Sequence, residues 1–193
     1  YPSAALSVTF APDSQTVLVG QRSGVIDVWR PNATVPQTWD GHSDGVMSLT
    51  FSPDGAAVIS TGRDGAVIVW QYATGTVLHR LEGHADWVAG AAFSGDGRLL
   101  ATVDHQGVLW LWDTERWLAL GEPLQVSDGW LNHLAFHGLT LYAAGQNGWI
   151  DPINLEMAGL LQRACSIAGR NLTADEWAIY FGAEPYAPTC GAS

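Results

Sequence analysis

The chain contains no lysine: its eight basic residues are all arginine, against nineteen acidic ones, for a formal charge of −11. An acidic chain without a basic cluster is poorly made for nucleic acid or an anionic membrane surface. Charge of either sign is sparse, at 14% of 193 residues, where an average soluble domain has about 25%. Hydrophobic residues reach 47%, yet no apolar run approaches the roughly eighteen needed to cross a bilayer. Cysteine is scarce too. Cys165 and Cys190 supply neither a disulfide framework nor a CxxC pair. They leave open two buried thiols, a redox bridge or, with no further cysteine to help, a metal site. The chain opens Tyr1-Pro2-Ser3, with neither an initiator methionine nor a secretory leader. The expectation is a cytoplasmic piece of a longer protein. An arginine-only basic set matches the codon bias of a GC-rich bacterial genome.

Glycine and tryptophan are abundant, at 22 and ten residues. Few charges with many glycines and aromatics suggest short strands joined by tight turns. These landmarks recur. Phe10, Phe51, Phe93 and Phe136 are separated by 41, 42 and 43 residues. Gly24, Gly65, Gly107 and Gly148 are separated by 41, 42 and 41. Trp29, Trp70 and Trp112 each follow their glycine by five positions, and Gly41-His42 returns 42 residues later as Gly83-His84. Three concordant rulers make this an internal repeat.

Within a unit the apolar period is two, as strands require. The second unit predicts strands at Val46–Phe51, Ala56–Thr61, Ala66–Trp70 and Thr76–Leu81, with turns at Ser52-Pro-Asp-Gly55 and Asp64-Gly65. Each unit is therefore a four-stranded antiparallel meander. Both faces are apolar, so the sheets must stack on one another, and radial stacking makes a propeller.

Gly83-His84-Ala-Asp-Trp-Val88, Phe93-Ser-Gly-Asp-Gly97 and Leu111-Trp112-Asp113 resemble the WD repeat, and the resemblance covers Ala5 to about Leu155. It implies an all-β fold, a WD-repeat β-propeller fragment, whose blades carry a buried His–Ser/Thr–Asp–Trp hydrogen-bond network. In the second unit the matching residues are His42, Ser60, Asp64 and Trp70. The third keeps His84, Thr102 and Trp112 but has Gln106 at the aspartate place. The first has Ser23 there, and the fourth has Asn147, with Val126 near the histidine place. Only the second blade is expected to own the full network.

The units fall at about 1–40, 41–82, 83–125 and 126–155. The fourth holds only three strands, at Trp130–Phe136, Leu139–Ala144 and Trp149–Ile153, and reads as the C-terminal end of a larger ring whose upstream blades are missing. Residues 156–193 form a separate segment. Met157, Leu160, Leu161, Ala164 and Ile167 recur at helical spacing. Thr173-Ala-Asp-Glu176 is a capping box ahead of a second short helix. A helical C-terminal cap is expected. Ala164-Cys165, Gly169-Arg-Asn-Leu-Thr173, Glu176-Trp177, Tyr180, Pro185-Tyr186 and Thr189-Cys190 resemble the tail of bacterial WD-repeat regions. Those regions end STAND-type NTPases and, less often, Ser/Thr protein kinases. The resemblance implies an effector domain upstream in the same chain; no phosphate loop or kinase signature occurs here.

No catalytic constellation is expected, and no cofactor or metal site. Gly41-His-Ser43-Asp-Gly45 matches the nucleophile elbow G-x-S-x-G, but that elbow needs a strand before it and a helix after it. His42 and His84 are repeat landmarks; His79, His105, His133 and His137 lack ligand-like spacing. Asp104-His105 reads as turn chemistry. The candidates for partner binding are Trp87 and Trp130, each six residues ahead of its strand phenylalanine, where the homologous places hold Ala4 and Gly45. Asp44, Asp86, Asp128 and His133 are their neighbours. Tryptophan there either packs between adjacent blades or anchors a partner on an acidic face.

The reading is non-catalytic recognition of a protein partner on a propeller face, as the sensor or scaffold end of a bacterial signalling protein, with no nucleic acid and no membrane. The alternatives are part of a propeller enzyme whose site needs the missing blades, or an oligomerisation module.

Overall fold

The structure, a computed structural model, describes residues 3–146, 150–155 and 173. Four antiparallel sheets follow one another along the chain, each a meander in sequence order. The first comprises β1 (Ala5–Phe10), β2 (Val17–Gln21), β3 (Val25–Trp29) and β4 (Gln37–Asp40). The second comprises β5 (Val46–Phe51), β6 (Ala57–Gly62), β7 (Val67–Gln71) and β8 (Thr76–Leu81). The third has β9 (Val88–Phe93), β10 (Leu99–Asp104) and β11 (Val108–Asp113), then two short pieces, β12 (Leu118–Ala119) and β13 (Leu124–Gln125). The fourth has β14 (Leu131–His137), β15 (Thr140–Gly145) and β16 (Ile150–Asn154).

The third sheet departs from a plain four-stranded unit. Its outermost strand is broken, β12 and β13 both pairing with β11. Gly121, at φ 76°, and Pro123 lie in the break. Proline has no N–H to give a ladder, so it sits between the pieces.

Turn chemistry closes the inner hairpins. In the second sheet Asp54 accepts from the Ser52 hydroxyl at 2.5 Å and the Ala56 N–H at 3.0 Å, with Gly55 at φ 71°. In the third, Asp96 does the same with Ser94 and Arg98. In the first, Asp13 accepts from the N–H groups of Thr16 and Gln15.

The core lies between sheets, not within one. β6 is buried along its whole length because it has a sheet on each side. Val58, Ile68 and Trp70 point toward the first sheet and join Leu18, Ile26, Val28 and Trp39. Ile59, Val67 and Val69 point the other way and join Val88, Leu100 and Trp112. A third cluster, with Val103, Leu109, Leu131 and Leu141, sits between the third and fourth sheets. Each such side chain contributes roughly 1.5–3 kcal/mol when fully buried. The outer face of the first sheet carries Val8 and Phe10, 66% and 65% exposed, where the homologous Leu49 and Phe51 are packed against the preceding sheet.

The innermost strands all start in the same way. The register shifts between Ala5 and Ser7 in β1, between Val46 and Ser48 in β5, and between Leu131 and His133 in β14. In the third sheet the shift likewise falls between Val88 and Gly90 in β9, opposite Asp104 and Val103. Such bulges sharpen the bend and re-aim the residues beside them. The helical cap expected over 156–193, with Cys165 and Cys190, lies outside the described residues, as do Asn147 and Trp149.

Candidate interaction face and the hydrogen-bond chains beneath it

The second sheet carries a continuous polar chain. The Trp70 indole N–H donates to Ser60 Oγ at 2.7 Å, Ser60 contacts His42 Nε2 at 2.7 Å, and His42 Nδ1 contacts Asp64 Oδ1 at 2.9 Å. A carboxylate only accepts, so Nδ1 carries the proton and Nε2 accepts from the serine hydroxyl. Burial pushes the His42 imidazole below its ordinary value, and its hydrogen bond to Asp64 only partly opposes this. Burial alone would raise the Asp64 carboxyl. The bonds from His42 and from the Ser43 N–H outweigh it and hold the carboxyl below the usual range. The chain is rigid because each buried group has its partner.

The expectation that only this sheet owns a full chain is corrected. In the third sheet Trp112 donates to Thr102 Oγ1 at 2.9 Å, Thr102 meets His84 Nε2 at 2.8 Å, and His84 Nδ1 meets Asp104 Oδ2 at 2.8 Å. Asp104 replaces the missing aspartate at the Gln106 place. It arrives from two residues upstream, where the second sheet has Gly62. A Cβ on Gly62 would meet the Asp64 carboxylate and the His42 ring. The same space is thus filled from either of two positions. Asp104 also accepts the N–H groups of Gln106 and Val108, at 2.9 and 3.0 Å, so it keeps its turn role.

The first sheet uses other residues. Gln21 donates to Asp27 at 2.5 Å, both buried, and Ser23 donates to Gln21 at 3.3 Å. Asp27 stands where Ile68 stands in the second sheet, facing outward from the stack. In the fourth sheet Val126 packs against the apolar cluster there.

Above these chains, at the start of the innermost strands, four side chains form a strip. The Arg63 guanidinium lies over the Trp87 ring, 4.4 Å from its centroid. Trp87 lies 5.4 Å from His105, and His105 stacks on Trp130 at 5.4 Å with planes 11° apart. The rungs come from the second, third and fourth sheets. One backbone bond, repeated in every sheet, sets their spacing: Arg22 N–H to Ala4 O, Arg63 to Gly45, His105 to Trp87 and Gln146 to Trp130, at 2.8 to 3.0 Å. Gly45 has no side chain because the place is filled: a Cβ there would press on a Leu6 methyl at 2.6 Å. Trp87, against Arg63 and His105, and Trp130, against His105, still show 37% and 54% of their surface.

Carboxylates flank the strip. Asp44 caps the Gly45 N–H at 2.6 Å, and Asp86 caps the Trp87 N–H at 2.7 Å while accepting from Gln106 at 3.3 Å. Asp128 is exposed, two residues ahead of Trp130, and His133 is exposed on β14. The sequence reading missed Arg63 and His105 as rungs. The repeat ruler carried the signal: Arg22, Arg63, His105 and Gln146 each lie two residues before a repeat glycine. Ser43 is followed by strand β5, and its N–H and hydroxyl bond Asp64 at 2.9 and 3.5 Å. That is a turn, not a nucleophile elbow.

Residues 33–71 and 75–113 match the family model described as WD domain, G-beta repeat. Each matched stretch begins near the outer strand of one sheet and runs through three strands of the next. No curated protein matches the chain. Among solved structures, that of U3-55K aligns with a TM-score of 0.74 at 19% identity, covering 80% of this chain and 50% of that one. The RRP9 WD40 repeats give 0.73 at 19%, covering 80% and 49%. The computationally designed Ika4 protein gives 0.71 at 25%, covering 81% and 94%. The chain thus spans about half the length of U3-55K and RRP9 structures. With its repeating sheets, its inter-sheet cores and its two matched repeats, the chain carries WD repeats folded as the blades of a WD-repeat β-propeller.

Proposed function

We propose that the chain is a non-catalytic recognition module that holds a protein partner on the face where the innermost strands begin. The observation that carries this reading is the Arg63–Trp87–His105–Trp130 strip, an exposed aromatic surface built on a rigid inner rim. Large aromatics held with little freedom to lose are the side chains that anchor interfaces. WD repeats in general serve as protein-interaction scaffolds, which agrees with it.

The finer reading places the module in the cytoplasm, at the sensor or scaffold end of a bacterial signalling protein. Upstream blades would complete its ring, and a STAND-type NTPase or, less often, a Ser/Thr kinase would be its effector. The tail motif from Ala164 to Cys190 supports that reading, and so does the arginine-only basic set. A photo-crosslinking residue placed at His133, beside the strip and exposed on β14, and separately at Asp54 on the opposite turns, tests the face in cells. Adducts from the His133 position alone are expected. Equal adducts from both, or none from His133, would overturn the assignment.

A further inference from the structure

We infer that the Trp130 end of the strip takes an arginine or lysine side chain from a basic linear segment of the partner. This deepens the recognition reading above and rests on it. The strip already contains such a contact: the Trp87 ring holds the Arg63 guanidinium at 4.4 Å. An indole face attracts a cation through its quadrupole, and tryptophan does so best.

The series of rim residues then changes character. The first two sheets place Arg22 and Arg63 on it; the third and fourth place His105 and Gln146. The tryptophans run the other way, absent at Ala4 and Gly45, present at 87 and 130. Trp130 is therefore stacked on one side by His105, is 54% exposed, and has no arginine at the rim position of its own sheet. The exposed Asp128 lies two residues ahead of it, on a chain of net charge −11. Aromatic face and carboxylate together are complementary to a cation. They repel a phosphate backbone, whose binding needs clustered lysine and arginine. An acidic partner would meet the same repulsion.

Selection of random short peptides on the intact protein tests this. Peptides enriched by the wild type should carry an arginine or lysine beside apolar residues. Trp130→Ala should weaken them about tenfold or more, Trp130→Phe much less, and Asp128→Asn by a few-fold that shrinks with added salt. Melting curves for Trp130→Phe and Asp128→Asn should match the wild type, which separates binding from folding. Enriched peptides that depend on Trp130 but lack a cation would overturn the cationic partner and leave the face standing. Peptides indifferent to Trp130, or no enrichment, would overturn this inference; absence of the crosslinks at His133 would overturn the face itself.

Discussion

Asp104 holds His84 at 2.8 Å from the strand position that Gly62 occupies in the preceding sheet. The third blade therefore closes its polar chain with a carboxylate two residues away from the place where the second blade closes its own. Removing either aspartate strands a buried imidazole N–H, at about 1–3 kcal/mol. Denaturant melts of Asp64→Ala and Asp104→Ala should both show that loss. Gln106→Ala should stay within about 0.5 kcal/mol, since its side chain lies outside the chain of bonds. A larger loss at Gln106 than at Asp104 would refute the assignment.

The two solutions should be interchangeable. Gly62→Ala puts a Cβ onto the Asp64 carboxylate and the His42 ring, so it should destabilise by about 1–3 kcal/mol. Gly62→Asp combined with Asp64→Gln copies the third blade into the second. That double variant should be more stable than Asp64→Ala alone. Equal or lower stability would mean that the two backbones are not equivalent at this point.

Acidification should unfold the protein in two steps. Burial holds His42 below its ordinary 6.5, so between that value and the folded one the unfolded state binds more protons. Stability then falls as the pH is lowered through this window. Asp64 and Asp104 act lower down with the same sign. Burial would raise both, but the bonds from His42 and His84 and from backbone N–H groups leave them below 3.8. Their contribution is present above 3.8 and is lost as the pH falls through their folded values. Urea midpoints should drop as the pH falls below 6.5 and drop again below 3.8. His42→Asn should flatten the first drop; a first drop unchanged in that variant would remove His42 as its cause.

Trp87 sits between Arg63 and His105, so its truncation should weaken partner binding more than folding. We expect Trp87→Ala to reduce partner affinity by about 2 kcal/mol or more and stability by about 1 kcal/mol or less. Affinity measured by calorimetry alongside thermal melts decides between them. A variant that melts early yet binds normally would make Trp87 a packing residue only.

The inner strands and hairpin turns were legible because their signals are local. Ser52-Pro-Asp-Gly55 declares its turn through the aspartate acceptor and the positive φ of glycine, whatever surrounds it. Val46–Phe51 was legible by alternation, and Thr76–Leu81 by its place ahead of the next Gly-His of the repeat. The split of the third outer strand was not, since Leu118–Ala119 and Leu124–Gln125 are too short to show a period. Asp104 was hidden for a different reason. Alignment on glycine assigns roles by position, whereas a carboxylate on a flexible arm can serve one imidazole from two positions. Arg63 and His105 needed knowledge of which loops meet across a sheet boundary, a fact of the stack and not of any one repeat.

The broken outer strand also says where the chain tolerates length. Leu118–Ala119 pair with one end of β11 and Leu124–Gln125 with the other, in registers two residues apart, so the detour between them takes up extra chain without changing which face each side chain uses. Extra residues at Gly121–Pro123 therefore swell the circumference while the hub keeps its spacing. Repeat length is elastic outside and fixed inside, which makes this bend the natural splice point for a tag or tether that must not disturb the aromatic rim.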